Sequence, residues 1–374
     1  MNRRPNMSRS SYDSFSSQHT ARLRMHTPDT DFFGKRKRMA LLPRILLMLL
    51  ILFVLMIGGN YAANQLVHIK RITVPIQGLP AAFDGYTILH LSDLKGRRFG
   101  AEQGLFHMAI SDEEFDLVVM TGDMVSPLGN AQPLYTLLDR LNEVDKAVPV
   151  YYIAGDDDPL PASMDYAASG SPFAAWVLGA AQRGAQLLSS PVMLEREDQH
   201  IWLTTSAQLS LDLNAMQGQY ERQYLDALSS RDENEIELTA FHLDSLEKTR
   251  TARAAMKIQD TYIALTHVLP GEADPDSLTP AALSSPIDLM LGGHYLGGLI
   301  RLPSVGPLFI PSRNDINYGI LPGDGVYAGL NKRRSTWLSA SPGLGAWDEM
   351  YPKWFFRVLN PPTATLITLT MSAL

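Results

Sequence analysis

The pattern that decides the fold is a short apolar run that ends in an acidic side chain, as in Leu117-Val-Val-Met-Thr-Gly-Asp123. Runs of this length that are rich in β-branched or aromatic residues are typical of buried strands. Similar runs recur along the chain at Tyr86–Leu91, Val148–Ala154, Tyr262–Thr266 and Ile287–Leu291. A polar cluster follows each run, so the sequence predicts strands that carry polar side chains to one edge of a sheet.

Two segments between these runs, 132–146 and 172–183, have apolar residues at helical spacing. The alternation of strands with helices predicts a layered α/β body. Further strand candidates predict a second sheet that completes a sandwich; they lie at 186–196, 200–205, 299–302 and 364–370.

Residues 208–257 differ in composition from the rest of the body, since they contain no proline and a single glycine, Gly218. Apolar residues recur at helical spacing on both sides of a polar break near Ser229–Asp232. The segment is therefore predicted to be a helical hairpin inserted into the body. We expect it to be a packed appendage rather than a lid over a substrate.

The chain of 374 residues has no cysteine, 45% hydrophobic residues and 19% charged residues. This composition is typical of a globular protein and excludes extensive disorder. The absence of cysteine excludes disulfide scaffolds, zinc–thiolate sites, thiol catalysis and iron–sulfur clusters. Any metal must therefore bind to carboxylate, imidazole or amide groups.

Residues 45–63 form an uncharged and almost entirely apolar run. A helix of this length reaches about 28 Å, close to the hydrocarbon core of a bilayer, so we expect one transmembrane helix. A cleaved signal peptide is a competing interpretation, but Tyr61 stands where a small residue would precede cleavage after Ala63. A buried core helix is another, which the apolar character of every face disfavours.

Charge is distributed unequally on the two sides of this run. Residues 1–44 carry a net charge of +7, whereas the rest of the chain carries −14. The basic cluster Lys35–Arg38 predicts a cytoplasmic N-terminus and an extracytoplasmic body at the cell membrane, by the positive-inside rule. The acidic body argues against nucleic-acid binding.

These features together predict the organisation of the chain. We expect a disordered basic tail at 1–44, the anchor at 45–63, a linker at 64–75 and one folded domain at 76–374, with 208–257 as its insertion. The basic tail is a topology signal that can also contact anionic lipid head groups. The membrane is therefore the partner that the N-terminal part indicates.

Candidate ligands for a metal ion follow the predicted strands, namely Asp93, Asp123, Asp156, His267 and His294. A helix cap can explain a single such residue but does not readily explain the whole series. Carboxylate and imidazole donors without sulfur suit a divalent transition metal, Mn, Fe or Zn.

In chain order the strand ends read Asp93-Leu-Lys95, Gly122-Asp123, Gly155-Asp-Asp-Asp158, His267 and Gly293-His-Tyr-Leu-Gly-Gly298. This series resembles the motifs D-x-H, G-D, G-N-H-D, H and G-H-T-H of the calcineurin-like metallophosphoesterases, in particular their membrane-anchored bacterial branch. The resemblance covers residues 76–370, apart from the helical insertion. It implies a four-layer α/β/β/α sandwich that hydrolyses phosphoesters.

The resemblance also implies roles for particular residues. Asp123 matches the carboxylate that bridges two metal ions in the family. Lys95 and Leu296 replace two histidine ligands of one ion, which leaves Asp93 and implies that this ion is lost. The other ion would keep its full set of ligands, Asp123, Asp156, His267 and His294.

Two hypotheses follow from these replacements. In the first, the chain is a one-metal phosphoester hydrolase in which Lys95 replaces the missing ion electrostatically. Asp157 stands where the family has its proton-donating histidine, so Asp157 or water would protonate the leaving group. In the second, the chain is an inactive pseudo-phosphoesterase that acts as an extracytoplasmic binding or interaction module.

Overall fold

The protein is described by a computed structural model that covers residues 41–126, 128–162, 171–271, 278, 286–302, 304–310, 319–322, 325–346 and 357–372. Nearly all of the basic tail expected at 1–44 lies outside the described residues. The chain divides into two compact units, residues 1–52 and 53–374. The second unit holds every strand described below.

The described residues form seven α-helices and fifteen strands. The helices are α1 (Leu41–Gln65), α2 (Gly104–Ile110), α3 (Gln132–Val144), α4 (Ala175–Ala181), α5 (Ser206–Ser210), α6 (Leu213–Ser230) and α7 (Glu233–Ala255). The strands are β1 (His68–Ile76), β2 (Thr87–Leu91), β3 (Leu117–Thr121), β4 (Val150–Ile153), β5 (Ala185–Leu187), β6 (Val192–Arg196), β7 (Gln199–Thr205), β8 (Tyr262–Leu265), β9 (Leu289–Gly292), β10 (Ile300–Leu302), β11 (Gly306–Ile310), β12 (Gly319–Ile320), β13 (Gly329–Arg333), β14 (Thr336–Ala340) and β15 (Thr363–Met371). The chain is thus a mixed α/β protein, as the alternating pattern predicts.

Helix α1 contains the whole apolar run at 45–63 and is long and apolar enough to cross a membrane. Its 25 residues span about 37 Å at 1.5 Å per residue. The apolar side chains from Ile45 to Ile57 are all exposed, whereas a core helix of a soluble protein would bury one face.

The first sheet has six strands in the order β1-β15-β2-β3-β4-β5. Strands β2, β3, β4 and β5 are mutually parallel, so their carboxyl ends share one edge. The C-terminal strand β15 pairs parallel to β1 and antiparallel to β2. The strand candidate at 364–370 therefore belongs to the first sheet and not to the second sheet expected from the sequence.

The second sheet also has six strands, in the order β13-β14-β9-β8-β7-β6. Strands β7, β8, β9 and β14 are mutually parallel in this sheet. The two predicted strands that precede His267 and His294 are β8 and β9, so the candidate ligands come from two sheets rather than one. Strands β10, β11 and β12 form a separate small sheet.

One apolar cluster joins side chains of both six-stranded sheets. Ile88 and Leu117 of the first sheet share it with Ile263 and Leu289 of the second, and all four are fully buried. The alternate residues of the first sheet, such as Leu89 and Val118, belong to another cluster with α2, α3 and α4. The two faces of the first sheet are therefore both covered, which explains its continuous apolar strands.

The inserted segment forms two antiparallel helices, α6 and α7. Arg250 near the end of α7 donates to Gln217 near the start of α6, with 2.7 Å between Nη2 and Oε1. Asp232 caps α7 by accepting the backbone N–H groups of Asn234 and Glu235, each at 3.1 Å. The break between the helices lies at Arg231–Asp232, within the predicted polar stretch.

Most of the stretch treated as a linker, residues 64–75, is the strand β1 in the structure. Its side chains include Lys70, Arg71 and Pro75, which do not give the apolar signal of the buried strands. The strand is stabilised instead by pairing with β15, in which nine consecutive residues of β1 each face a residue of β15. This long-range pairing is invisible in the local sequence.

The core between the sheets predicts a large cost for shortening its side chains. Ile263→Ala should lower the free energy of unfolding by about 2–5 kcal/mol, because a fully buried side chain would leave a cavity. Urea unfolding of the full-length chain in detergent, followed by tryptophan fluorescence, measures this loss. The control is Ile258→Ala, which changes an isoleucine that is 67% exposed. Equal losses for the two variants would contradict the assigned core.

Candidate metal centre

The polar residues after five strands meet where the two six-stranded sheets come together. Asp93, Asp123 and Asp156 follow β2, β3 and β4, and the backbone of Asp93 is bonded to Gly122 at 3.0 Å between N and O. His267 follows β8 in the second sheet, yet its Nδ1 lies 2.7 Å from the carbonyl oxygen of Thr121 at the end of β3. This contact joins the sheets at the site.

Asp123, His267 and His294 form a possible metal-binding group, with one ligand atom from each within 4.8 Å of the others. The Nε2 atom of His267 lies 3.2 Å from Oδ2 of Asp123 and 3.2 Å from Nδ1 of His294. Three atoms with lone pairs repel one another unless a cation lies between them. The group therefore fits one metal ion, or one proton when no ion is bound.

The ring of His267 is oriented for ion binding by the backbone of the neighbouring sheet. A carbonyl oxygen can only accept, so Nδ1 of His267 carries the hydrogen that it donates to Thr121. Nε2 is then left facing the site, which is the arrangement of metal-binding histidines with an outer carbonyl partner. Burial alone would lower the pKa of His267, but the hydrogen bond and charge of Asp123 outweigh it and raise this pKa to about 9.

Asp156 lies at the edge of this group. Its Oδ2 is 3.5 Å from Nδ1 of His294, and its side chain is 65% exposed. Burial and the neighbouring His267 lower the pKa of His294. The structure thus brings three of the four expected ligands together and places Asp156 beside them.

Lys95 contacts the same oxygen of the Asp123 carboxylate, Oδ2, that faces His267. Its Nζ lies 2.6 Å from Oδ2 of Asp123 and 2.7 Å from Oδ2 of Asp157, and its side chain is only 9% exposed. Burial lowers the pKa of Lys95, but Asp123, Asp93 and Asp157 together raise it above its ordinary value. The ammonium therefore stays charged.

The Asp123 carboxylate is nearly inaccessible to water. Burial raises the pKa of Asp123, but its contacts with His267 and Lys95 hold that pKa well below its usual range. Its other oxygen, Oδ1, accepts the backbone N–H of Asp157 at 2.9 Å. Both oxygens therefore have donors or cations around them.

The sequence predicts that Asp157 or water donates a proton to a leaving group. In the structure its carboxylate accepts a hydrogen bond from the Lys95 ammonium. Its backbone also helps to hold Asp123. The described contacts thus make Asp157 an acceptor in this arrangement.

Asp93 supports the site through the backbone of His294. Its fully buried Oδ2 accepts the N–H of His294 at 3.1 Å and also the hydroxyl of Ser92. Burial raises the pKa of Asp93. Its Oδ1 atom has no hydrogen-bond partner among the described residues. Asp93 is not one of the three clustered ligands.

Leu296 lies in the same small space as Asp93. A Cβ atom added to Gly343 would be 3.0 Å from Cβ of Asp93 and 3.2 Å from Cδ2 of Leu296, and Leu296 is 2% exposed. The leucine therefore fills volume beside the Asp93 carboxylate and offers it no hydrogen bond.

Several site residues have a positive φ angle, which side chains other than glycine rarely adopt. They are Asp93 (53°), Lys95 (49°), Asp123 (54°), His294 (70°) and Leu296 (54°). Backbone strain of this kind is concentrated at functional sites, where the surrounding structure holds it in place.

Two residues that organise the site, Asp158 and Arg357, are not among the candidates that the sequence indicates. Asp158 accepts the N–H of Val125 at 2.6 Å and that of Gly155 at 2.8 Å, so it ties the loop after β3 to the loop after β4. Arg357 is fully buried and donates to backbone carbonyls around Asp93. The sequence offers a signal for Asp158, because it lies in the motif Gly155–Asp158. It offers no signal for Arg357, which is a lone arginine in an aromatic stretch.

No protein-family model and no curated protein matches the chain. Among solved structures, the chain is similar to the crystal structure of phosphopantetheinyl hydrolase (PptH) from Mycobacterium tuberculosis. The match has a TM-score of 0.33 and 11% sequence identity, and it covers 75% of this chain and 97% of that chain.

The close approach of the two sheets predicts a specific effect at Gly122, which has a φ of +93°. A Cβ atom there would lie 2.6 Å from Cα of Gly155 and 2.7 Å from Nδ1 of His267. Gly122→Ala should therefore lower the free energy of unfolding by about 1–2 kcal/mol for the backbone and by a further 1–3 kcal/mol for overpacking. Urea unfolding measures the total.

The matched control is Gly129→Ala. Gly129 has a φ of +80°, but an added Cβ would meet no atom of the described residues within 4 Å. This variant should lose only the backbone part. If Gly122→Ala costs no more than Gly129→Ala, the two sheets do not meet at His267 as described.

Proposed function

We propose that this chain is a membrane-anchored, calcineurin-like metallophosphoesterase that holds one divalent transition metal ion. Its domain would be a four-layer α/β/β/α sandwich, in which the two facing sheets carry helices on their outer faces. Helix α1 would be the single membrane anchor, with a cytoplasmic N-terminus and an extracytoplasmic domain. The substrate class is a phosphoester.

A single observation carries this proposal, namely the shared use of the Asp123 carboxylate. One oxygen faces both Nε2 of His267 and the Lys95 ammonium, at 3.2 and 2.6 Å. In the family that the motifs resemble, the corresponding carboxylate bridges two metal ions. Here a lysine ammonium would take the place of one ion and would supply part of the positive charge beside Asp123.

The residues of the chain have distinct parts in this mechanism. Asp123, His267 and His294 would hold the ion, with Asp156 as a further ligand from the edge of the site. A bound divalent ion lowers the pKa of a water ligand and polarises a phosphoryl oxygen. Lys95 uses two of its three N–H donors on carboxylates, which leaves one for an oxygen of the phosphoester.

Proton transfer to the leaving group would come from Asp157 or from water. Asp157 accepts a hydrogen bond from Lys95, so it would have to exchange this bond for a proton during the reaction. The side chain is 24% exposed and therefore within reach of solvent. Water is the simpler donor in this arrangement.

The second candidate function is an extracytoplasmic binding or interaction module without turnover. The observation that favours it is the closure of the second ion position by Lys95 and Leu296, which are both buried. The two-metal clamp of the family would be absent. The same residues could still bind a phosphate group without cleaving it.

The one-metal site predicts the ion content of the full-length chain. After incubation with Mn²⁺ and gel filtration in detergent, elemental analysis should find one ion per chain. His267→Ala and His294→Ala should each lose most of it, because only two clustered ligands would remain. His200→Ala, which changes a histidine outside the group, should keep it.

Hydrolysis of an aryl phosphodiester by the same samples distinguishes the two functions. Cleavage that is lost together with the ion supports the enzyme. A full complement of ion without cleavage supports the binding module. No bound ion and no cleavage would rule out the one-metal enzyme.

The placement of Lys95 and Leu296 predicts that a second ion can be restored. The double variant Lys95→His with Leu296→His should bind two ions per chain, since it returns two imidazoles to the space around Asp93 and Asp123. Each single variant should stay at one ion. An unchanged ion content in the double variant would show that these positions do not face an ion.

A further inference from the structure

Arg357 is the largest fully buried side chain of the described residues. Its guanidinium donates to the carbonyl oxygens of Leu296 (2.7 Å), Gly343 (2.7 Å) and Gly345 (2.8 Å), and also to that of Pro342. Among the described residues its hydrogen-bond acceptors are all neutral carbonyls, and the charge of Asp93 also acts on it. Burying a charge in this way is costly. Its presence here calls for a role beyond packing.

The carbonyls that hold Arg357 belong to the segments beside Asp93. The N–H of Leu344 donates to Ser92 at 2.9 Å, and the N–H of Gly345 donates to the carbonyl oxygen of Asp93. Asp93 in turn accepts the N–H of His294. A continuous set of hydrogen bonds therefore runs from Arg357 to a candidate ligand of the ion.

The backbone of Arg357 is held from the other side by the end of helix α1. Asn60 and Asn64 each donate from Nδ2 to its carbonyl oxygen at 2.8 Å, and Oδ1 of Asn60 accepts the N–H of Leu359 at 3.0 Å. The two asparagines are four residues apart, so they share one face of the helix.

A second contact joins the same helix end to the segment that carries Lys95. Arg97, two residues after Lys95, donates to the backbone carbonyl of Asn64. The last two turns of α1 thus contact segments that lead to both Asp93 and Lys95. An asparagine near the end of a membrane helix is costly unless its side chain is bonded. Nδ2 is bonded in both asparagines, whereas Oδ1 of Asn64 has no partner among the described residues.

We propose that the last two turns of α1 are a positioning element of the candidate site. Asn60 and Asn64 hold Arg357, Arg357 holds the loop at 342–345 against Asp93, and Asp93 holds the backbone of His294. Helix α1 would then position residues of the site in addition to attaching the chain to a membrane. The Mn²⁺ measurement that tests this inference depends on the proposed metal site. The positioning role itself depends only on the contacts described above.

The test replaces both asparagines in the full-length chain in detergent, as Asn60→Leu with Asn64→Leu. Leucine keeps the size of the side chain and suits a membrane helix, but it cannot donate. Mn²⁺ affinity should fall by about fivefold, the equivalent of one net hydrogen bond. The rate of backbone amide hydrogen exchange should increase at residues 292–298 and 341–346.

The matched control is Asn142→Leu. It removes a hydrogen bond of the same kind, from the Asn142 side chain to the carbonyl oxygen of Arg183 at 3.0 Å. This bond lies on the helical side of the first sheet. The control variant should leave Mn²⁺ affinity and exchange at both segments unchanged. Equal exchange at these segments in the control and the double variant would overturn the proposal. If the double variant does not fold, Asn60→Leu alone, which keeps the bond from Asn64, gives the same comparison.

The two readouts keep this inference separate from the proposed function. If the wild-type chain binds no Mn²⁺, the metal site fails, and local exchange alone decides whether α1 positions the loops. If the wild-type chain binds Mn²⁺ but the double variant matches it in affinity and exchange, the positioning role fails and the metal site stands.

Discussion

The charge of the Asp123 carboxylate is the constraint on which the site depends. The side chain is 1% exposed, so its charge has to be matched inside the protein rather than by water. Lys95 and the imidazole of His267 both contact its Oδ2, and His294 lies next to His267. The amide of Asp157 adds a neutral donor. Loss of Lys95 or of His267 would therefore leave part of this buried charge without compensation.

This constraint links the site to the packing of the two sheets. Asp123 follows a strand of the first sheet and His267 follows a strand of the second, so their contact exists only when the sheets are packed together. Gly122 and Gly155 allow the backbones to approach at this point, since a side chain at either would overlap its neighbours. The apolar core therefore sets the geometry of the polar site.

Local sequence carried enough information to find the strands and the polar residues at their ends. The apolar runs before Asp93, Asp123 and His267 are each strands in the structure, because their burial on both sides demands continuous apolar residues. The same reasoning could not assign β1 to a sheet. Its pairing with β15 joins residues nearly three hundred positions apart, and neither strand specifies the other by composition.

The sequence by itself determined which chemical groups are available: carboxylates, imidazoles and one lysine at the ends of strands, with no thiol in the chain. It also determined that an apolar helix precedes them. Only the tertiary structure decided how they are used. Asp93 holds the backbone of His294, Lys95 pairs with Asp123 and Asp157, and Arg357 connects the helix end to the site. The reason is physical: strand ends, loops and a distant arginine become neighbours only after the sheets have packed, and burial then dictates which charges must pair.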